Sequence, residues 1–173
     1  TATSLDNGFV YKDNLYYREG LALTLTTSLN IPAGYHVVYK ADGNNITSPY
    51  TVSSSDVTLT AQKVANTYTV KFYANGGSGS MSNQVFTYGT AQNLTANAFT
   101  RTGYTFAGWA TSENGNVVYD DKQSVKNLTT TNGGTVNLYA KWTADQYTVT
   151  LNNQNATTAG TASVTATYDA AMP

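Results

Sequence analysis

The stretch Gly103-Tyr104-Thr105-Phe106-Ala107-Gly108-Trp109 decides how the rest of the chain is read. Three aromatics and two glycines fall in seven residues. In an extended segment side chains alternate, so Tyr104 and Phe106 are expected on one face and Trp109 on the other. The pattern is that of a packing element and not of a reaction centre. The aromatics supply apolar area, and the glycines mark places where the chain turns or is approached closely.

Working outward, Tyr68, Val70 and Phe72 alternate with Thr69, Lys71 and Tyr73, and Asn75-Gly76-Gly77 ends that strand in a turn. Val85 to Tyr88 reads as a second strand, and the connection Thr90 to Thr100 carries Leu94 and Phe99. Beyond Trp109, Asn114-Gly115 and Asp120-Asp121 mark loops about Val117-Val118-Tyr119. The closing strand, Val136 to Trp142, puts Val136, Leu138, Ala140 and Trp142 on one face. The aromatics of the opening stretch are therefore expected to close a core, matched by Trp142.

Three motifs then stand in order: Tyr68-Thr69-Val70-Lys71-Phe72-Tyr73-Ala74-Asn75-Gly76-Gly77, Arg101-Thr102-Gly103-Tyr104-Thr105-Phe106-Ala107-Gly108-Trp109, and Leu138-Tyr139-Ala140-Lys141-Trp142. Together they resemble one complete Listeria–Bacteroides repeat, the internalin B B-repeat. The resemblance implies a small β-grasp-like domain, used in tandem in secreted and surface-attached bacterial proteins, with no catalytic residues to carry over. A second copy begins about eighty residues on. Tyr147-Thr148-Val149-Thr150-Leu151 repeats Tyr68 to Phe72, and Ala166-Thr167-Tyr168-Asp169 stands where Phe86-Thr87-Tyr88-Gly89 stood. That copy lacks its own Gly-Tyr-Thr-Phe and closing Trp segments, so its strands must pack on the preceding module, pair with another chain, or belong to a longer protein that has been cut, the last being favoured. Docking on the preceding module would keep its two strands ordered, since an isolated hairpin is marginal in water.

The N-terminal part is expected to be a further small β module. Phe9 to Tyr11 and Leu15 to Tyr17 read as short strands about an Asp-Asn turn, and Leu21, Leu23 and Leu25 share one face of a half-buried strand. Pro32 and Gly34 break the chain, Tyr35 to Lys40 resumes it, and Asp42-Gly43 offers the positive φ of a hairpin turn. Tyr50 to Val52 and Asp56 to Ala61 complete a meander. This order resembles divergent repeat modules of bacterial surface proteins over residues 21 to 62. The domains expected are thus 1–66, a small β module; 67–144, the β-grasp-like repeat; and 145–173, the first strands of a truncated repeat.

Composition bounds the rest. The 173 residues are rich in Thr, Tyr, Val, Asn and Gly, and only 11% are charged, with a net charge of −1. Such side chains suit a pleated surface and tight turns, so the fold class is mainly β with little or no helix, built as tandem small modules. No basic field exists to hold nucleic acid or anionic lipid. Cysteine is absent, which excludes disulfide scaffolds and thiolate metal sites. No apolar run approaches the roughly 18 residues of a membrane span, so no membrane insertion is expected. The chain begins at Thr1 without a basic-then-apolar leader, as if one had been removed.

Catalytic, cofactor and metal sites are not expected. His36 is the sole histidine, lies in an alternating strand, and is expected to meet solvent or backbone. Asp120-Asp121 lacks calcium-loop spacing, and Gly76 to Ser80 lacks the Lys-Ser/Thr of a phosphate loop and reads as a flexible hairpin tip. Asn45, Asn93, Asn127 and Asn155 open glycosylation triplets that a Thr- and Asn-rich chain also produces by chance. Lys71 or Lys141 could form an isopeptide bond beside a buried carboxylate, but both lie opposite the apolar face. Tyr73, Tyr119 and Tyr139 are the candidate ligand-facing aromatics, for sugar or protein; the plainer reading makes them cross-strand supports of a thin sheet.

Two functions follow as expectations. One is a non-catalytic repeat segment of a cell-surface or secreted bacterial protein, a spacer and adhesion or protein-interaction module. Its partners would be neighbouring repeats of the same chain, and a host protein or glycan. The other is an accessory carbohydrate- or host-protein-binding module of a larger secreted enzyme. An exposed coplanar aromatic cluster would favour the second, and its absence the first. The place of work expected on either reading is extracellular or attached to the cell surface.

Overall fold

The computed structural model describes residues 8–11, 14–17, 20–51, 53, 56–152, 154–155, 157–158 and 160–171, with backbone alone for those before residue 20. Among them none is helical, and the fold is mainly β, as the composition requires. The chain divides into two compact units, Thr1–Asn66 and Thr67–Pro173.

Among its described residues unit 1 holds seven strands. β1 (Gly8–Tyr11) and β2 (Asn14–Tyr17) form an antiparallel hairpin, with the expected Asp-Asn turn itself partly outside the described residues. β3 (Ala22–Leu23), β4 (Tyr35–Ala41), β5 (Asn44–Ile46), β6 (Tyr50–Thr51) and β7 (Leu59–Ala65) follow. β4 is the centre of a sheet ordered β5-β4-β7, while β3 pairs β6. Asp42 and Gly43 turn β4 into β5 with φ of 48° and 85°, the left-handed pair that a two-residue hairpin needs. Leu21, Leu23, Leu25 and Thr27 are half-buried between exposed neighbours, so the alternation persists although only Ala22 and Leu23 join a ladder. The last strand starts at Leu59 and runs to Ala65, later than the Asp56 start read from the pattern.

Unit 2 is organised by a four-stranded sheet. Its strands are β8 (Thr67–Tyr73), β9 (Gln84–Thr87), β11 (Tyr104–Ala110) and β13 (Gly134–Ala144), in the order β11-β13-β8-β9, with β10 (Gln92–Asn93) and β12 (Ser124–Val125) paired in the connections. β13 runs parallel to β8, and the two outer pairings are antiparallel. Strict alternation gives the sheet one apolar face: Tyr68, Val70, Phe72, Leu138 and Ala140 are buried, while Thr69, Lys71, Asn137 and Tyr139 point the other way. Leu94, Phe99 and Val125, from the connections, cover that face. β14 (Gln146–Thr150) and β15 (Ser163–Thr167) close the chain as a hairpin.

The opening stretch departs from the simple alternation. Phe106 stands opposite Trp142 and Trp109 opposite Ala140, but Gly108 alone takes Lys141, so Ala107 is an extra residue and β11 carries a bulge. The bulge returns Trp109 to the face of Tyr104 and Phe106, and the expected opposition of Trp109 does not occur. Gly108 has φ of 136°, and a Cβ there would stand 2.6 Å from a methyl of Val117 and 2.8 Å from the Tyr119 carbonyl. Only glycine serves at that position.

Trp109 is fully buried, with Phe72 and Phe106 at 4.9 Å and Phe99 at 6.2 Å between ring centroids. Its Nε1–H has no hydrogen-bond partner among the described residues. Burying about 200 Å² of indole at about 25 cal/mol/Å² yields about 5 kcal/mol. That exceeds the roughly 1–3 kcal/mol of an unpaired donor, so packing prevails. Trp142 meets both demands, packing on Phe106 at 5.7 Å and donating Nε1–H to the Ala74 carbonyl at 2.9 Å.

Candidate functional site

The outer face of the unit 2 sheet is the first candidate surface. Register alone places Thr135 beside Thr69, Asn137 beside Lys71 and Tyr139 beside Tyr73, all on the side away from the core. Val85 extends the face on β9 and is 62% exposed. Tyr73 and Tyr139 stack at 4.9 Å with 16° between their planes. Neighbouring strands make such a pair when two aromatics share a face, and the rings then turn to one another. They do not lie side by side as a flat platform.

Tyr119 is elsewhere. Val117 to Tyr119 runs along the free edge of β11, where the Trp109 N–H donates to the Tyr119 carbonyl at 2.8 Å and the Val118 N–H to the Trp109 carbonyl at 2.8 Å. Tyr119 packs half-buried against the core cluster. Of the three candidate aromatics the fold thus joins two and sets the third on the inner side. The same segment blunts a sheet edge that would otherwise present free backbone groups.

The second surface is a corner built from the opening stretch, whose residues no local motif brings together. The turn before β11 leaves Gly103 with φ of 72°. Its carbonyl accepts the N–H of Asp145 at 2.9 Å, and the Asp145 carboxylate accepts Thr105 Oγ1–H at 2.7 Å. Asp145 alone connects β13 to β14. The Asp145 carbonyl in turn accepts the N–H of Tyr168, whose ring lies directly on Gly103: a Cβ there would stand 2.3 Å from Tyr168 Cγ. Tyr104 meets the Tyr168 ring edge-on at 5.6 Å, donates its hydroxyl to Asp169 at 3.1 Å, and carries the Arg101 guanidinium 3.7 Å above its own ring. Desolvation, and then the bond to Asp169, raise the Tyr104 hydroxyl above its ordinary pKa, with Arg101 opposing.

Unit 1 contains a matching corner. Gly34 has φ of 86°, its carbonyl accepts the Asn66 N–H at 2.8 Å, and Asn66 Oδ1 lies 2.7 Å from His36 Nδ1. An amide oxygen can only accept, so His36 carries its proton on Nδ1. Its partner is therefore a side chain 30 positions away, not the solvent or backbone expected from the strand pattern. Asn66 is 5% exposed and occupies the place between β7 and β8 that Asp145 occupies between β13 and β14.

Little here resembles a reaction centre. No group of three or more His, Asp or Glu among the described residues could hold a metal ion. An open cleft of about 500 Å³ beside Ile46, Pro49 and Tyr50 has no carboxylate, amine or imidazole in its lining. Asp121 caps the Asn97 N–H at 2.8 Å, and the Lys141 amine donates to the Glu113 carbonyl at 3.3 Å. The only charged or polar side chain buried among the described residues is Asn66, so neither lysine has the buried carboxylate that isopeptide chemistry requires. Gly76 to Ser80 is not a loose tip: Ser78 and Thr100 exchange backbone hydrogen bonds of 2.7 and 3.0 Å.

Residues 68–141 match the family model of the Listeria-Bacteroides repeat domain. The match covers the first two motifs and the third up to Lys141, and modules of this kind occur as repeats in bacterial surface proteins and are generally non-catalytic. Comparison with curated proteins and with solved structures gave no match.

Proposed function

We propose that the chain is a non-catalytic repeat segment of a bacterial cell-surface or secreted protein, working outside the cell as a spacer and as an adhesion or protein-interaction module. The observation that carries this reading is the hairpin β14–β15. It repeats the first two strands of the module before it, and it follows β13 after one residue, Asp145. A one-residue connection leaves no slack, so successive copies should extend as a stiff rod instead of a beaded coil. The strand order of unit 2, a parallel central pair flanked by two antiparallel partners, supports a β-grasp in which a non-helical crossover replaces the usual helix.

Neighbouring repeats are then the first partners, and the outer face bearing Tyr73 and Tyr139 is offered to a host protein or glycan. Linking copies raises effective concentration, so each face can bind weakly and still hold a cell in place. The alternative, an accessory sugar-binding module of a secreted enzyme, calls for aromatics lying flat and side by side. The stacked pair and the inward Tyr119 favour the spacer reading over it.

Small-angle scattering from chains carrying one, two and three copies of residues 67–145 in tandem tests the spacer. The maximum dimension should rise by equal steps. Growth with the square root of copy number would reject it.

A further inference from the structure

We propose that the Gly103–Tyr104 corner is the docking site for the following repeat, and that it recognises a tyrosine at the end of that repeat's second strand, here Tyr168. The proposal rests on reading β14–β15 as the start of the next copy.

Three observations carry it. First, Gly103 is left-handed and has Tyr168 where its side chain would be, so the glycine fits both the turn before β11 and the incoming ring. Second, the contact is polar as well as apolar: Tyr104 donates to Asp169, and Asp145 links both sides, giving its N–H to Gly103 and its carbonyl to Tyr168. Third, Arg101 covers the Tyr104 ring and so fixes the aromatic wall of the corner from its own side. A two-stranded hairpin is marginal alone, so this seat is what orders it.

The corner in unit 1 shows that the polar part is a reused device. Gly34, His36 and Asn66 repeat the arrangement of Gly103, Thr105 and Asp145: a left-handed glycine carbonyl takes the junction residue's N–H, and the side chain two positions on takes its side-chain oxygen. Each clasp secures the residue that ends a closing strand. In unit 2 that residue is Asp145, and the clasp secures the start of β14 against the Gly103 corner. In sequence the tyrosine of the second copy has a counterpart in Tyr88, whereas Asp169 stands opposite Gly89. A tyrosine at this place is therefore common to both copies in sequence, while the bond from Tyr104 to Asp169 needs a residue that only the second copy has.

Amide hydrogen exchange on the full chain tests the proposal from both sides of the contact. Tyr168→Ala and Gly103→Ala should each raise exchange across Gln146–Thr150 and Ser163–Thr167 by about tenfold or more, while amides of β8 and its partners on β13 keep their protection. Gly103→Ala changes no hairpin residue, so its effect reports docking and not loss of cross-strand packing. Should Gly103→Ala unfold the sheet, Tyr168→Ala together with Tyr104→Ala supplies the two sides. Unchanged hairpin exchange in any folded variant of this set overturns the docking site. Equal steps in the scattering series combined with unchanged exchange would sink this joint and leave the spacer standing; coil-like growth would sink the spacer instead.

Discussion

The two units carry the same clasp on very different cores. In unit 2 the strand pair β11–β13 closes over Trp109, Leu138 and Ala140, all fully buried. In unit 1 the pair β4–β7 keeps unbroken register from Tyr35 opposite Ala65 to Ala41 opposite Leu59, yet every residue of β4 is only half-buried. No described apolar side chain of unit 1 reaches the burial of the unit 2 core. Gly34 and Asn66 are nonetheless the buried points among the described residues of unit 1. The comparison separates two jobs that the opening stretch performs together in unit 2: its aromatics hold the module shut, and its first glycine holds the junction.

The largest break in that comparison comes from the core. Trp109→Ala should destabilise unit 2 by about 3–5 kcal/mol in a denaturation experiment, with the exchange protection of β4 and β7 untouched. A variant melting within a degree or two of the parent would contradict it. Next in size is Gly108→Ala, expected to cost about 2 kcal/mol through left-handed strain and collision with Val117 and the Tyr119 carbonyl. Unit 1 has no bulge in β4, so this sensitivity belongs to unit 2 alone.

The clasps sharpen the comparison. His36→Ala and Thr105→Val each remove one side-chain bond to a junction residue and should each cost about 1 kcal/mol. If one cost fell to nothing while the other held, the two corners would not be the same device. The smallest effect is in titration. Because the Tyr104 hydroxyl is raised in the folded chain, the stabilisation linked to it is full below its unfolded pKa, near 10, and is lost as the pH rises through the higher folded value. Carbon-13 tyrosine spectra should show Tyr104 titrating late in the parent and earlier after Asp169→Asn.

How much of this was legible in the sequence differs by element. The alternation of Tyr68 to Tyr73 and of Val136 to Trp142 predicts their faces directly, because regular strands obey a period of two. Alternation alone puts Trp109 on the wrong face because one inserted residue, Ala107, reverses every face beyond it, and the odd spacing from Phe106 to Trp109 across a glycine is the available signal. The strand pattern around His36 does not reveal its partner, because Asn66 is distant in sequence and lies between strands. Tyr119 looked like its fellow tyrosines, and only long-range pairing of its segment with β11 turns it inward. The stacking of Tyr73 on Tyr139 depended on the parallel register of β8 and β13, which no local motif states.

If the hairpin β14–β15 is seated on unit 2, the two move as one body. Residual dipolar couplings of the full chain measure this most directly, comparing the amides of β8 and β13 with those of β14 and β15. A single alignment tensor should fit both sets. Separate tensors, with reduced magnitude for the hairpin, would contradict the account.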